Sequence, residues 1–302
     1  MTFGWRIGKA ETRRKQEVKV LGSWNNKYVE VRGVRTHYLE AGSDQTLLLI
    51  HGGNLLACAE INWASVIPLF ARNFHVLAPD QIGFGYTPIP DKDYSLKARG
   101  DHLIAFLETL GTSAVHVVGN SHGGWLGIYM GLKRPDLIKK LVVINSGSAS
   151  WVFTPDVEKD FPFWFDDYKI SPTRETAREE LLRMTLRKEF VTLEMIDKGY
   201  EVAIRNFQTH KLRMDATHST WHLANENHSL NGKHISEHVS GLRIPVLLAW
   251  SEHDSMAPLE KGIDLLYKLE QAEMHVFNQA GHHVMVDQPR RFASVIANFL
   301  NE

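Results

Sequence analysis

The chain has 302 residues, with 34 Lys plus Arg against 35 Asp plus Glu and a formal net charge of −1. It presents no global field to a polyanion, so neither nucleic-acid binding nor attachment to a membrane surface is expected. The composition, 43% hydrophobic and 23% charged, is that of a globular protein, and a chain of this length buries about 75% of the surface it exposes when unfolded. Cys58 is the single cysteine, which excludes an intramolecular disulfide framework and a cysteine-based zinc cluster and points to a reducing, cytoplasmic setting. No apolar run approaches the roughly 18 residues of a membrane span. Residues 1–27 read as a solvated basic arm carrying Arg6, Lys9, Arg13, Arg14, Lys15 and Lys19 without the apolar stretch of a secretory signal.

From there the elements can be taken in chain order. Val29, Val31, Val34, Thr36 and Tyr38 alternate around Arg32-Gly33 and predict an antiparallel hairpin. Short apolar strands are expected at Leu47–Ile50, Phe74–Ala78, Val115–Val118, Leu141–Ile144, Val246–Trp250 and Met274–Phe277. Between them, Leu96, Leu103, Ile104, Leu107 and Leu110 recur at helical period and stop at Gly111; Phe292, Val295, Ile296 and Phe299 do the same behind Pro289. Strands alternating with helices imply an α/β fold, a mostly parallel sheet with helices on both faces. Residues 148–240 break the rhythm with two long helical stretches, Arg174–Arg187 and Leu193–Gln208. They predict a helical cap inserted between a first core part, 28–147, and a second, 241–302.

Gly119-Asn120-Ser121-His122-Gly123-Gly124 lies directly after the strand at 115–118 and before a helical run. This Gly-x-Ser-x-Gly turn in a strand-turn-helix setting lifts a nucleophilic Ser121 hydroxyl above the sheet, and the glycines leave room where side chains would clash. A serine hydroxyl needs a base, itself oriented by an acid. Asp254 follows the strand at 246–250 and His282 the strand at 274–277, at the sheet end where such folds place catalytic groups. Glu252 is the competing acid and His283 the competing base. Ile50-His51-Gly52-Gly53 closes the strand at 47–50 and supplies a loop donor for an oxyanion, Gly53, with His122 as the second backbone donor. His51 itself is read as structural.

The order His51-Gly52-Gly53, Asp80-Gln81-Ile82-Gly83-Phe84-Gly85, the Ser121 turn, Asp254 and His282 resembles the α/β-hydrolase fold over residues 28–302. Within it, Asn120 before the serine and Asn62, eleven positions after His51, resemble the meta-cleavage-product hydrolases. Those enzymes hydrolyse carbon-carbon bonds in vinylogous 1,5-diketones formed by aromatic ring cleavage. The resemblance implies polar contacts to substrate from Asn62 and Asn120, and a cap arginine for a substrate carboxylate, for which Arg205 is the nearest candidate; Gly52 and His283, next to the oxyanion loop donor and the base, are further candidate substrate contacts. This chain departs from the family at His122, where an apolar residue is usual, and at His283, where tryptophan is usual.

Sixteen histidines are many for this length. His218 and His222, like His234 and His238, have the i, i+4 spacing of helical metal ligands, but no carboxylate or cysteine completes a set, so they are read as surface or pocket-wall residues and no metal is expected. No nucleotide-binding glycine motif is present, so no cofactor is expected. The partner is a small-molecule substrate, with a homodimer left open. The expected activity is that of a cofactor-independent serine hydrolase. An esterase, lactonase or amidase with the same triad is the alternative, and a small-ligand receptor on the same fold the alternative of another class.

Overall fold

The computed structural model describes residues 24–89, 93, 95–147, 171–217, 229–231 and 233–302. The basic arm up to residue 23, the first part of the cap, and the histidines at 218, 222 and 228 lie outside them. The hairpin forms as expected: β1 (Asn25–Val31) pairs antiparallel with β2 (Val34–Ala41), and Arg32 and Gly33 take positive φ of 50° and 82°, the geometry of a two-residue turn that matches strand twist. Because β1 opens at Asn25, the last residues assigned to the arm belong to the sheet. Next come β3 (Thr46–Ile50), α1 (Ala59–Trp63), α2 (Ile67–Phe70), β4 (His75–Pro79), α3 (Leu96–Thr109), β5 (Val115–Asn120), α4 (His122–Lys133) and β6 (Ile138–Ile144). The cap contributes α5 (Arg174–Met184) and α6 (Leu193–Thr217), then the two-residue pair β7 (Ser229–Leu230) and β8 (Lys233–His234). The core closes with β9 (Val246–Ser251), α7 (Leu259–Lys268), β10 (Ala272–Phe277), α8 (Val284–Asp287) and α9 (Pro289–Asn301).

Eight strands form one sheet in the order β1-β2-β4-β3-β5-β6-β9-β10, parallel from β4 to β10. The chain leaves β3 toward β4 on one side and returns to β5 on the other. The carboxyl ends of β3 and β5 therefore flank a switch point, where open α/β sheets bind their ligands. Strand alternation feeds two cores. Leu48, Ile50, Val117 and Val143 face α3 and α4, while Leu47, Leu49, Val118 and Val142 face α2 and α9. All eight are fully buried, and each contributes about 1.5–3 kcal/mol of transfer free energy. Ile235 and Val239 join the first of these clusters, so the core resumes a few residues before 241.

Local signals explain the helix ends. The Ser95 hydroxyl accepts from Ala98 N at 3.0 Å to start α3. Its other end closes with Gly111 at φ 65°, Gly111 N donating to Glu108 O and Thr112 N to Leu107 O, both at 3.0 Å, the pairing of a Schellman terminus. A reciprocal capping box between Thr173 and Thr176 starts α5.

The cap rests on the core in two ways. Leu55, Leu56 and Ile61 pack against Ala177, Leu181, Ile196 and Val202. Beyond α5, the fully buried Asp287 carboxylate accepts from Leu186 N (3.1 Å), Arg187 N (2.7 Å) and Gly281 N (2.8 Å), and His283 N donates to Met184 O at 2.9 Å. One carboxylate thus ties the cap to the loop that carries His282. Asp287→Ala leaves three N–H groups, that of Gly281 buried, without their acceptor, and empties the place of a fully buried carboxylate. It is expected to cost about 3 kcal/mol, or about 5–10 °C in a thermal unfolding scan.

Burial also makes the fold acid-sensitive. His102 and His116 are held down to a pKa of about 4 and His283 to about 3, in each case mainly because burial disfavours the charged ring. In the unfolded chain an imidazole titrates near 6.5. Below that pH the unfolded state binds protons that the native state refuses, so stability falls as pH drops from about 6.5 toward 4, by up to about 1.4 kcal/mol per pH unit and group. Denaturant melts at pH 7, 5.5 and 4.5 are expected to show this loss, with a shallower slope for His102→Gln.

Candidate active site

Ser121 sits at the summit of the turn between β5 and α4 with φ 55° and ψ −120°, a conformation that costs a non-glycine residue about 1–3 kcal/mol. Its surroundings enforce it. A Cβ on Gly119 would lie 2.2 Å from Gly123 O, and one on Gly123 would lie 2.1 Å from Ile50 O, so the turn closes only with glycine at both positions. Ser121 N donates to Ile144 O at 2.8 Å, and Ser121 O accepts from the Ser146 hydroxyl at 2.6 Å and from Gly124 N at 3.0 Å.

The structure brings His282 and Asp254 together. His282 Nδ1 stands 2.7 Å from Asp254 Oδ2, and both residues are buried. The other carboxylate oxygen, Oδ1, accepts from Met256 N (2.8 Å) and Ala257 N (3.0 Å). The carboxylate accepts, so Nδ1 carries the proton and Nε2 is left as the basic nitrogen. Glu252 instead points outward, half-exposed, at 3.6 Å from His253. His283 is buried beside the pair, its ring 5.9 Å from that of His282 at an interplanar angle of 26°; among the described residues no hydrogen-bond partner meets its Nδ1.

The loop after β3 runs alongside the serine. A Cβ on Gly52 would lie 3.5 Å from Ser121 Cβ, and one on Gly53 only 2.0 Å from His122 Nδ1. Gly53 and His122 are thereby brought together, with the His122 ring against the Gly53 backbone. His122 opens α4, where helix geometry offers its N–H no intrahelical acceptor. The next residue, Asn54, donates to Glu180 Oε1 (3.3 Å) and to Met184 Sδ (2.9 Å). A cavity of about 270 Å³ opens there between Leu55, Leu56 and the α5 residues Ala177, Glu180 and Arg183.

The two asparagines are bonded to each other and to backbone. Asn62 Nδ2 donates to Asn120 Oδ1 at 3.0 Å, Asn62 Oδ1 accepts from Gly52 N at 3.4 Å, and Asn120 Nδ2 reaches His282 O at 3.4 Å and Ile144 O at 3.5 Å. Both are buried. They form a bracket under the site that joins the Gly52 loop, the serine turn and the His282 loop. Arg205 is not part of this group: half-exposed on α6, it lies 3.4 Å from Glu201 and over the Tyr86 ring at 4.6 Å.

Two further residues complete the frame and were missed from sequence. Buried Asn145, at φ 46°, donates to His282 O (3.0 Å) and Ser251 Oγ (3.0 Å) and accepts from Ser251 N (2.8 Å). It locks the ends of β6 and β9 to the histidine loop. Its position directly after the strand at 141–144 was the available signal. Gln81, inside the Asp80–Gly85 motif, contacts His51. Elsewhere, His234 Nδ1 lies 2.8 Å from the Ser236 hydroxyl and His238 Nε2 2.8 Å from Leu230 O, local contacts at the cap's return to the core. Among the described residues no group of three His, Cys, Asp or Glu side chains is placed to hold a metal ion, and no helix is long and apolar enough to cross a membrane.

Residues 45–289 match the family model for the alpha/beta hydrolase fold. The chain is 27% identical over 274 residues to the 2-hydroxymuconate semialdehyde hydrolase of Pseudomonas sp. (strain CF600), covering 89% of this chain and 92% of that protein. It is 30% identical over 276 residues to the 2-hydroxy-6-oxo-6-(2'-aminophenyl)hexa-2,4-dienoic acid hydrolase of Metapseudomonas resinovorans, covering 91% and 90%. The solved meta-cleavage product hydrolase from Pseudomonas fluorescens IP01 superposes with a TM-score of 0.78 at 26% identity, over 91% of this chain and 97% of that one. With the family model matched over residues 45–289 and nine-tenths of its length aligned with these hydrolases, the chain belongs to the α/β-hydrolase family and is an enzyme of that family acting on a small molecule.

Proposed function

We propose that this protein is a cofactor-independent serine hydrolase that cleaves a carbon-carbon bond in a ring-cleavage product, a dienol with a keto group in vinylogous relation to it. The observation that carries the reading is Ser121 raised on its strained turn, with a His282–Asp254 pair at 2.7 Å whose loop is bonded to that turn through Asn120 Nδ2, which reaches His282 O at 3.4 Å. Similarity to enzymes named for such dienoates, over nine-tenths of the chain, supports the bond type. Buried Cys58, whose thiol burial pushes well above its usual pKa, suits a cytoplasmic setting.

The geometry supports the following chemistry. His282 first helps to move the enol proton to carbon, which turns the dienol into a ketone whose carbon-carbon bond can break. His282 Nε2 then takes the Ser121 proton as Oγ attacks the remote carbonyl carbon, and the oxyanion is received by the N–H groups of Gly53 and His122. Collapse of that intermediate expels the carbon fragment with its electron pair. It leaves as an enol once His282 returns the proton. Water, deprotonated by the same histidine, releases the acid from Ser121. Asp254 holds the Nδ1 tautomer and stabilises the imidazolium.

Ser121→Ala is expected to lower kcat by about 10⁴-fold or more on a ring-cleavage dienoate with the unfolding temperature unchanged. Asp254→Asn is expected to lose about 10⁴-fold while Glu252→Gln stays within about 3-fold; comparable losses in the two would move the acid to Glu252. These rates, with p-nitrophenyl butyrate measured in parallel, also test the bond: a wild type that turns over the ester and leaves every dienoate intact would make the protein an esterase. The asparagine bracket gives a third outcome. Because Asn62 holds protein groups, Asn62→Ala should slow ester and dienoate alike, by about 10-fold; selective loss on the dienoate would show that the amide contacts substrate.

A further inference from the structure

Gly52-Gly53 is a peptide with no side chain on either flank, so its own residues do little to restrict the rotation of its plane, yet the proposed chemistry needs its N–H to face one way. A chain of buried polar groups holds the plane from the Gly52 O side. Gln81 N donates to His51 Nε2 at 3.0 Å. That nitrogen accepts, so the ring proton is on Nδ1, which donates to Gly52 O at 2.8 Å. The Gln81 amide adds a second hold, Nε2 donating to His51 O at 2.6 Å and reaching Gly52 O at 3.5 Å. Carbonyl oxygen and amide hydrogen point opposite ways across a trans peptide, and the described residues contain no cis bond. Holding Gly52 O toward His51 and Gln81 therefore aims Gly53 N–H away from them.

The orientation of the Gln81 amide is itself set from outside the loop. Arg99, on α3 and only 2% exposed, donates from Nη1 to Gln81 Oε1 at 3.1 Å, its guanidinium 5.5 Å from the Phe84 ring centroid. Phe84 in turn meets the His51 ring edge-on at 5.4 Å. A guanidinium has donors only, so it selects the amide rotamer with oxygen outward and NH₂ toward the loop. We propose that Arg99, acting through Gln81, is the positioning residue that holds the Gly52–Gly53 peptide with its N–H presented to the substrate oxyanion. This rests on the Ser121 reading above, though not on which bond is cleaved.

The test uses the full chain, p-nitrophenyl butyrate as substrate and phenylboronic acid, which adds to a catalytic serine as a tetrahedral anion. Gln81→Glu keeps a partner for Arg99 but replaces the donors facing His51 O and Gly52 O by acceptors. It is expected to fold, to lower kcat about 10- to 100-fold with KM within about 2-fold, and to weaken boronate inhibition by the same factor as kcat. Arg99→Met should behave alike and Arg99→Lys should recover most of the rate, while the midpoint of the acidic limb of the pH profile stays put because His282 and Asp254 are untouched. Should Arg99→Met fail to fold, Gln81→Glu decides alone. Wild-type kcat in folded Gln81→Glu, or a fall in kcat with boronate affinity intact, would overturn the proposal. A wild type that neither turns over the ester nor binds the boronate would overturn the serine-hydrolase reading, and this inference with it.

Discussion

The backbone at Ser121 carries a conformation that the residue would not adopt alone, and it persists because two glycines let three chain segments approach more closely than side chains permit. Gly119 lies against the Gly123 carbonyl and Gly123 against that of Ile50, so the turn after β5, the start of α4 and the end of β3 are pressed into one layer. This contact puts the serine beside the Gly52-Gly53 loop, because Ile50 is the last residue of β3 and the loop begins at once. The strain of about 1–3 kcal/mol at Ser121 is offset by the fully buried strands beneath it. The same strands set the height of the loops that bring Asp254 and His282.

Around that layer, polar side chains act as struts between backbone segments. Asn62 and Asn120 join the Gly52 loop to the serine turn, Asn145 joins β6 and β9 to the His282 loop, and Asp287 joins that loop to the end of α5. Each is buried, and each satisfies backbone groups that would otherwise be costly to desolvate. The cap is thus bonded to the segment bearing the proposed base, so a shift in α5 reaches the His282 loop through Met184, Leu186 and Arg187.

Much of this was legible in the chain. Strand and helix periodicity gave the sheet order its raw material, and the positions of Ser121, Asp254 and His282 just after their strands marked three side chains far apart in sequence as candidates, because each strand end is a fixed place in a parallel sheet. The struts were harder to read. A buried asparagine or aspartate bonding to backbone has no period, and Asn145 and Asp287 look like loop residues until the segments they join are seen side by side. Asn62 and Asn120 were found, but their mutual hydrogen bond depends on α1, a five-residue helix too short to leave a pattern. Arg205 shows the converse: a cation on the expected cap helix turns to Glu201 and Tyr86 because its helical phase carries it outward.

The central claim is that Ser121 attacks a carbonyl whose oxygen is received between Gly53 and His122. It is met most directly by a crystal structure of the enzyme inactivated with a p-nitrophenyl alkylphosphonate. The account predicts phosphorus on Ser121 Oγ, with one phosphonyl oxygen about 2.7–3.1 Å from both Gly53 N and His122 N. Phosphorus on any other residue, or a Ser121 adduct whose oxygen turns away from both amides, would contradict it.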